Sequence, residues 1–321
     1  MRDIGQVRRI DAAGTLVAYC RKHETRVEET LDDPKITPEM IRLYDEYTHL
    51  TLDRRGFMAK LTKLAGSSAA AAAIVPLIAA DPARAAIVAP GDPRVKAEKI
   101  TFPGAKGSMK AYLALPAGAS GRLPAVIVIH ENRGLNAHIE DIARRLATEG
   151  FAALAVDFLS PLGGTPADED KAREMFTKLD QAETVANAVA AVAFLRKDAR
   201  TNGKVGAVGF CWGGGLVNQL AVHSPDLAAG VAYYGMQPAA ADVVRIKAKL
   251  LLHYAGLDER IDAGIPAFEK ALNAAGVDYQ LYMYEGANHA FNNDTSAARY
   301  DKEAAELAWS RTIAFLKQDL A

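Results

Sequence analysis

The chain has 321 residues, 50% of them hydrophobic and 24% charged, and 38 basic against 39 acidic residues leave a net charge of −1. That is the composition of a globular protein with a sizeable core. The even mixing of charge excludes a basic nucleic-acid surface or a polybasic lipid patch. With Cys20 and Cys211 as the only cysteines, a disulfide framework is excluded as well.

Residues 1–85 read as a leader apart from the rest. Pro38 to Leu52 carries Ile41, Tyr44 and Tyr47 at helical spacing, which predicts a short amphipathic helix. The stretch Asp53-Arg54-Arg55-Gly56-Phe57-Met58 then places paired arginines before an alanine-rich apolar run, Leu64 to Ala80, followed by the small residues Ala83-Arg84-Ala85. Basic, apolar and small segments in that order predict a secretory signal of the twin-arginine type. The expected partners are then the twin-arginine export machinery and a signal peptidase, and the expected location is periplasmic or secreted. A soluble alanine-rich helix in a cytoplasmic protein is the alternative. The apolar core from Ala69 to Ala80 is too short for a stable membrane span. Cys20 falls within the leader, so the exported form would hold Cys211 alone.

From residue 86 to 321 the pattern is that of one catalytic domain. Val95–Phe102 and Met109–Pro116 alternate apolar with polar residues around a glycine-containing turn, as an antiparallel hairpin does. Ala125–Ile129 and Ala152–Val156 are continuous apolar runs, expected of strands covered on both faces. Helical spacing occupies Asn136–Glu149, one long stretch from Glu169 to Arg196, Ala263–Ala275 and Ala297–Lys317, and further strands fall at Lys204–Val208, Lys249–Tyr254 and Tyr279–Tyr284. Strands alternating with helices predict an α/β fold, a mostly parallel sheet with helices on both faces.

The chemistry is concentrated at Gly209-Phe210-Cys211-Trp212-Gly213-Gly214. A strand, a tight glycine-bounded turn and a helix form a nucleophile elbow, here with cysteine at its apex, and the helix N-terminus favours the thiolate. A buried structural cysteine in a glycine-rich turn is the plainer alternative. Downstream, Asp258 and His289 each follow a predicted strand, in the chain order nucleophile, acid, histidine. Two metal or nucleotide readings fail: His130-Glu131 lacks the second histidine of H-E-x-x-H because Gly134 stands there, and the glycines of 206–215 do not form G-x-G-x-x-G. No cofactor is expected.

The segment Thr201–Gly214, together with Tyr233-Tyr234-Gly235, His253 and Tyr284–Phe291, resembles the dienelactone hydrolase family, from about Val95 to the C-terminus. The resemblance implies the α/β-hydrolase fold and a carboxylic-ester or lactone hydrolase of the carboxymethylenebutenolidase kind. It implies Cys211 as nucleophile, His289 as base, Asp258 as its orienting carboxylate, and Glu131 as the family's glutamate that keeps the resting thiol protonated. The oxyanion hole would be the backbone N–H groups of Asn132 and Trp212. The family's two carboxylate-gripping arginines fall at about Pro161 and Asn293, so the clamp is missing or rebuilt; Arg133, Tyr234 and Arg260 are the candidate substrate contacts. The expected function is hydrolysis of a small ester or lactone through a thioester. The alternative is a non-hydrolytic thiol-redox or ligand-binding protein on the same scaffold.

Overall fold

Strands in the middle of this chain read as unbroken apolar runs because both of their faces are covered. In the strand Leu123–Ile129, Ala125, Ile127 and Ile129 pack into one core while Val126 and Val128 pack into a second on the opposite face. Each of the fully buried Val and Ile side chains contributes about 1.5–3 kcal/mol. The computed structural model describes residues 35–49, 52–79, 81 and 86–321, with the backbone of an antiparallel pair, β1 (Val7–Ile10) and β2 (Leu16–Tyr19). Cys20 and Ala83-Arg84-Ala85 lie outside the described residues.

Three helices come first: α1 (Pro38–Thr48), α2 (Arg54–Ala65) and α3 (Ser68–Ile78). Each starts on a side-chain cap, Thr37, Asp53 and Ser67 respectively, which accepts a bond from a first-turn N–H. Their apolar faces form a small core of their own, in which Phe57 stacks on Tyr47 at 4.7 Å and meets Tyr44 edge-on at 5.9 Å. Arg54 and Arg55 open α2, and Arg54 reaches Asp170 at 2.9 Å. Among the described residues no single helix is long and apolar enough to cross a membrane; α2 and α3 together pass that test but bend by 108°. Although the sequence sets residues 1–85 apart, residues 35–49 and 52–79 are folded against the α/β domain. Ser296 Oγ donates to the Ile78 carbonyl at 2.8 Å, and Arg299 reaches Asp45 at 3.3 Å.

The remaining chain forms the α/β domain. Strands β3 (Val95–Gly104) and β4 (Gly107–Pro116) make the expected hairpin, followed by β5 (Leu123–Ile129), α4 (Ala137–Thr148) and β6 (Ala152–Asp157). The single long helix expected over 169–196 is two, α5 (Glu169–Phe176) and α6 (Gln181–Lys197). The break is local chemistry: Asp180 accepts from the Glu183 N–H and so starts a new helix. Then come β7 (Thr201–Phe210), α7 (Trp212–His223) and β8 (Ala229–Tyr233), a short strand the apolar pattern had not singled out. The chain ends with β9 (Lys249–Ala255), α8 (Glu259–Asp262), α9 (Ile265–Ala275), β10 (Tyr279–Tyr284) and α10 (Lys302–Leu320).

The eight strands β3–β10 form one sheet in the order β10-β9-β8-β7-β5-β6-β4-β3, parallel from β10 to β6 and antiparallel at β4 and β3. The chain runs from β5 to β6 on one side and returns to β7 on the other, so a crevice opens where the winding reverses. The register aligns Ile129 with Gly209, Phe210 with Tyr233, and Tyr233 with His253, which brings the residues that follow β5, β7, β8 and β9 to one edge.

The elbow after β7 leaves no room for side chains. A Cβ on Gly213 would lie 2.4 Å from the Ile129 carbonyl oxygen and 2.5 Å from that of His130, both backbone atoms that cannot step aside. Gly213→Ala should therefore lower stability by at least the ~1–3 kcal/mol typical of overpacking. Gly215→Ala, whose Cβ would meet nothing nearer than 3.4 Å, should be tolerated. Paired chemical-denaturation curves check the contrast, and equal midpoints would refute it.

Candidate active site

Cys211 sits at the turn between β7 and α7 with φ +56° and ψ −116°, a backbone strain expected where surrounding structure enforces a functional geometry. The turn aims the sulfur out of the sheet edge at the N-terminus of α7, whose first N–H groups have no partner within the helix. The elbow is braced by His130, whose ring stacks on Trp212 at 5.5 Å and 11°. His130 Nδ1 donates to the Glu131 carbonyl at 2.7 Å and its Nε2 accepts from the Phe158 N–H at 3.2 Å, so burial keeps this imidazole neutral and fixed.

Asp258 follows β9 and His289 follows β10, as the sequence order requires. His289 Nδ1 donates to Asp258 Oδ2 in a short buried hydrogen bond, and a ring nitrogen of His289 lies within 4.8 Å of Cys211 Sγ, Nε2 having no hydrogen-bond partner. Burial works against a charged His289, whereas the charge of the Cys211 sulfur once it has lost its proton, together with the Asp258 carboxylate, raises its pKa well above the ordinary histidine value. Burial likewise pushes the Asp258 carboxyl up, but the charge and hydrogen bond of His289, with Arg260 beyond, hold it below the usual carboxylate range. Cys211, His289 and Asp258 thus converge from the ends of three separate strands.

The other predicted residues fall as follows. Glu131 is buried beside the thiol, and its Oε2 accepts from Asn293 Nδ2 at 2.8 Å. Asn293, one of the positions where the resemblance would put a clamp arginine, instead holds Glu131; Pro161, the other, lies in an exposed 3-10 turn. Asn132 and Trp212 line the crevice on either side of Cys211. Tyr234, with φ +39°, lies 4.9 Å from the His289 ring; burial first, then the charges of Glu131 and Cys211, hold its hydroxyl protonated. Arg260 lines a cavity of about 440 Å³ that opens over Cys211 and is walled by Phe176, Trp212, Leu216 and Met236. Arg133 lines the small cavity that also holds Cys211 and His289, but its charge is taken up by other groups. Its guanidinium donates to Tyr44 Oη at 3.1 Å and pairs with Asp170 at 3.2 Å, so it anchors α1 and is not free to grip a substrate.

Two groups escaped the sequence reading. Arg299, just before α10, is buried beside the site; burial opposes its charge, but Asp45, Tyr44, Glu131 and Cys211 keep it firmly cationic. His49, at the C-terminus of α1, comes within 3.4 Å of Cys211 Sγ through Nε2 and packs edge-on against His289 at 4.6 Å. Burial, then the charges of His289 and Arg260, holds its pKa well below the ordinary value. No local motif marks either residue. Among the described residues, His49, Cys211 and His289 form the one cluster whose ligand atoms, within 4.8 Å of one another, are close enough to share a cation.

The family model for the dienelactone hydrolase family matches residues 109–320. An Escherichia coli K12 protein assigned as a carboxymethylenebutenolidase is 33% identical over 257 residues, covering 75% of this chain and 93% of its own. A Bradyrhizobium protein assigned as a 2-oxo-3-(5-oxofuran-2-ylidene)propanoate lactonase is 34% identical over 227 residues, 66% of this chain and 90% of its own. Among solved structures, a dienelactone hydrolase-like promiscuous phosphotriesterase from metagenomic libraries superposes with a TM-score of 0.64 at 27% identity, covering 71% of this chain and all of its own. With β5, β7, β9 and β10 carrying their side chains to one edge of a mostly parallel sheet, the chain belongs to the dienelactone hydrolase family and is a carboxylic ester hydrolase of α/β-hydrolase fold.

Proposed function

We propose that this enzyme hydrolyses a small ester or lactone through a thioester on Cys211. The observation that carries the reading is the convergence of Cys211 Sγ, the His289 ring and the Asp258 carboxylate at the strained elbow. The thiol proton passes to His289 Nε2 as Sγ bonds to the substrate carbonyl carbon. The Trp212 and Asn132 N–H groups receive the developing oxyanion, each such donor being worth about 3 kcal/mol in the barrier. The C–O bond then breaks, and the leaving oxygen takes the proton from His289. Water, deprotonated by the same imidazole, attacks the thioester, releasing the acid and returning the proton to sulfur.

The cavity favours a compact, largely apolar substrate. Phe176, Trp212, Leu216 and Met236 supply the walls, and Arg260 is the cation placed to meet a substrate anion. Arg173 also lines the cavity, but its guanidinium donates to the Tyr47 carbonyl at 2.8 Å and stacks over the Tyr47 ring at 4.0 Å. Acid quenching during turnover of an activated aryl ester, followed by peptide mass mapping, tests the proposal. It should find the acyl group on the peptide holding Cys211, released by hydroxylamine. An acyl group on any other residue would sink the reading.

A further inference from the structure

We infer that His49, delivered by α1 from outside the region the family model matches, is a catalytic residue of this site: its Nε2 accepts the Cys211 S–H hydrogen bond and keeps the resting thiol neutral. The inference rests on Cys211 being the nucleophile. The proton inventory at His49 decides the direction of the bond. His49 Nδ1 lies 2.6 Å from the Asp45 carbonyl oxygen, which can only accept, so Nδ1 carries the ring proton. In the neutral ring, Nε2 then has only a lone pair to offer, and it stands 3.4 Å from Sγ. A thiol can donate to that lone pair; a thiolate would meet it as one acceptor facing another.

The surroundings hold this arrangement in place. The Thr48 carbonyl accepts from Asn132 Nδ2 at 2.6 Å, the Tyr47 carbonyl accepts from Arg173, and Arg299 bonds Asp45, so the end of α1 is fastened on three sides of the crevice. The charged and titratable groups facing the sulfur are His289, Glu131, Tyr234 and Arg299. Glu131 Oε2 is engaged by Asn293, while Glu131 Oε1, His289 Nε2 and Tyr234 Oη have no hydrogen-bond partner. On attack the proton leaves His49's side and passes to His289 Nε2, with no further reactant. A cut after Ala85 would carry His49 away together with α1, leaving the thiol without this acceptor.

Alkylation of the full-length chain by iodoacetamide at a fixed pH below neutrality reads the thiolate fraction without requiring turnover. His49→Ala and His49→Phe should both react about tenfold faster than the parent chain, and both should lose activity faster in peroxide. The phenyl ring preserves the edge contact with His289 while removing the acceptor. If both variants alkylate at the parent rate, or if His49→Phe matches the parent while His49→Ala does not, His49 is a packing residue and the inference fails. Cys211→Ala must abolish the fast alkylation. Ester turnover surviving in Cys211→Ala would overturn the nucleophile assignment instead, whatever the histidine variants do.

Discussion

Cys211→Ala should lower kcat for activated esters by a factor on the order of 10⁴ to 10⁶, the range seen when the nucleophile of a cooperating triad is deleted. The sulfur is the atom on which the proposed thioester forms, while Asp258 and His289 are assigned only to moving its proton. Stability should change little, since the substitution keeps the Cβ and removes only a small, nearly buried sulfur from a site already under backbone strain. Stopped-flow turnover with an aryl ester, beside a melting curve for each protein, separates the two effects. Turnover within tenfold of the parent chain would refute the nucleophile role.

Asp258→Asn is the second large effect, expected to lower kcat by roughly 10⁴-fold with little change in fold. The carboxylate accepts from His289 Nδ1 and so leaves Nε2 free to take the thiol proton; an amide can donate to Nδ1 and turn the imidazole to the unproductive tautomer. The same substitution should flatten the dependence of stability on pH. The folded-state pKa of Asp258 is depressed, so its contribution is present above the unfolded value near ~3.9 and lost as pH falls through the folded value. That of His289 is raised, so its contribution is present below the unfolded value near ~6.5 and lost as pH rises through the folded value. Parent and variant should therefore differ most in stability between about pH 4 and 6.5. Denaturation midpoints that run parallel across that window would contradict the pairing.

Much of this site was legible in the linear chain because its logic is local. An elbow needs glycines around a nucleophile, and the spacing of Gly209, Gly213 and Gly214 about Cys211 is written in six residues. Strands buried on both faces advertise themselves as apolar runs, and each run ends just before a chemical residue: Ile129 before His130 and Glu131, Phe210 before Cys211, Ala255 before the turn to Asp258. The α5–α6 break was legible too, in Asp180 standing three residues before Glu183, but a helical period that continues on both sides of a cap hides the interruption.

What the sequence by itself determined, then, was the sheet, the elbow and the placing of Cys211, Asp258 and His289 after strands, because each is a short-range pattern of side-chain size and polarity. Only the tertiary structure decided what surrounds them. His49 lies 162 residues from Cys211, and Arg133 looks like a free cation until Tyr44 and Asp170 are seen to hold it. Burial and partner choice are properties of packing across the whole chain. The protonation of each imidazole and the fate of each arginine follow from desolvation and neighbouring charge, which no local spacing encodes.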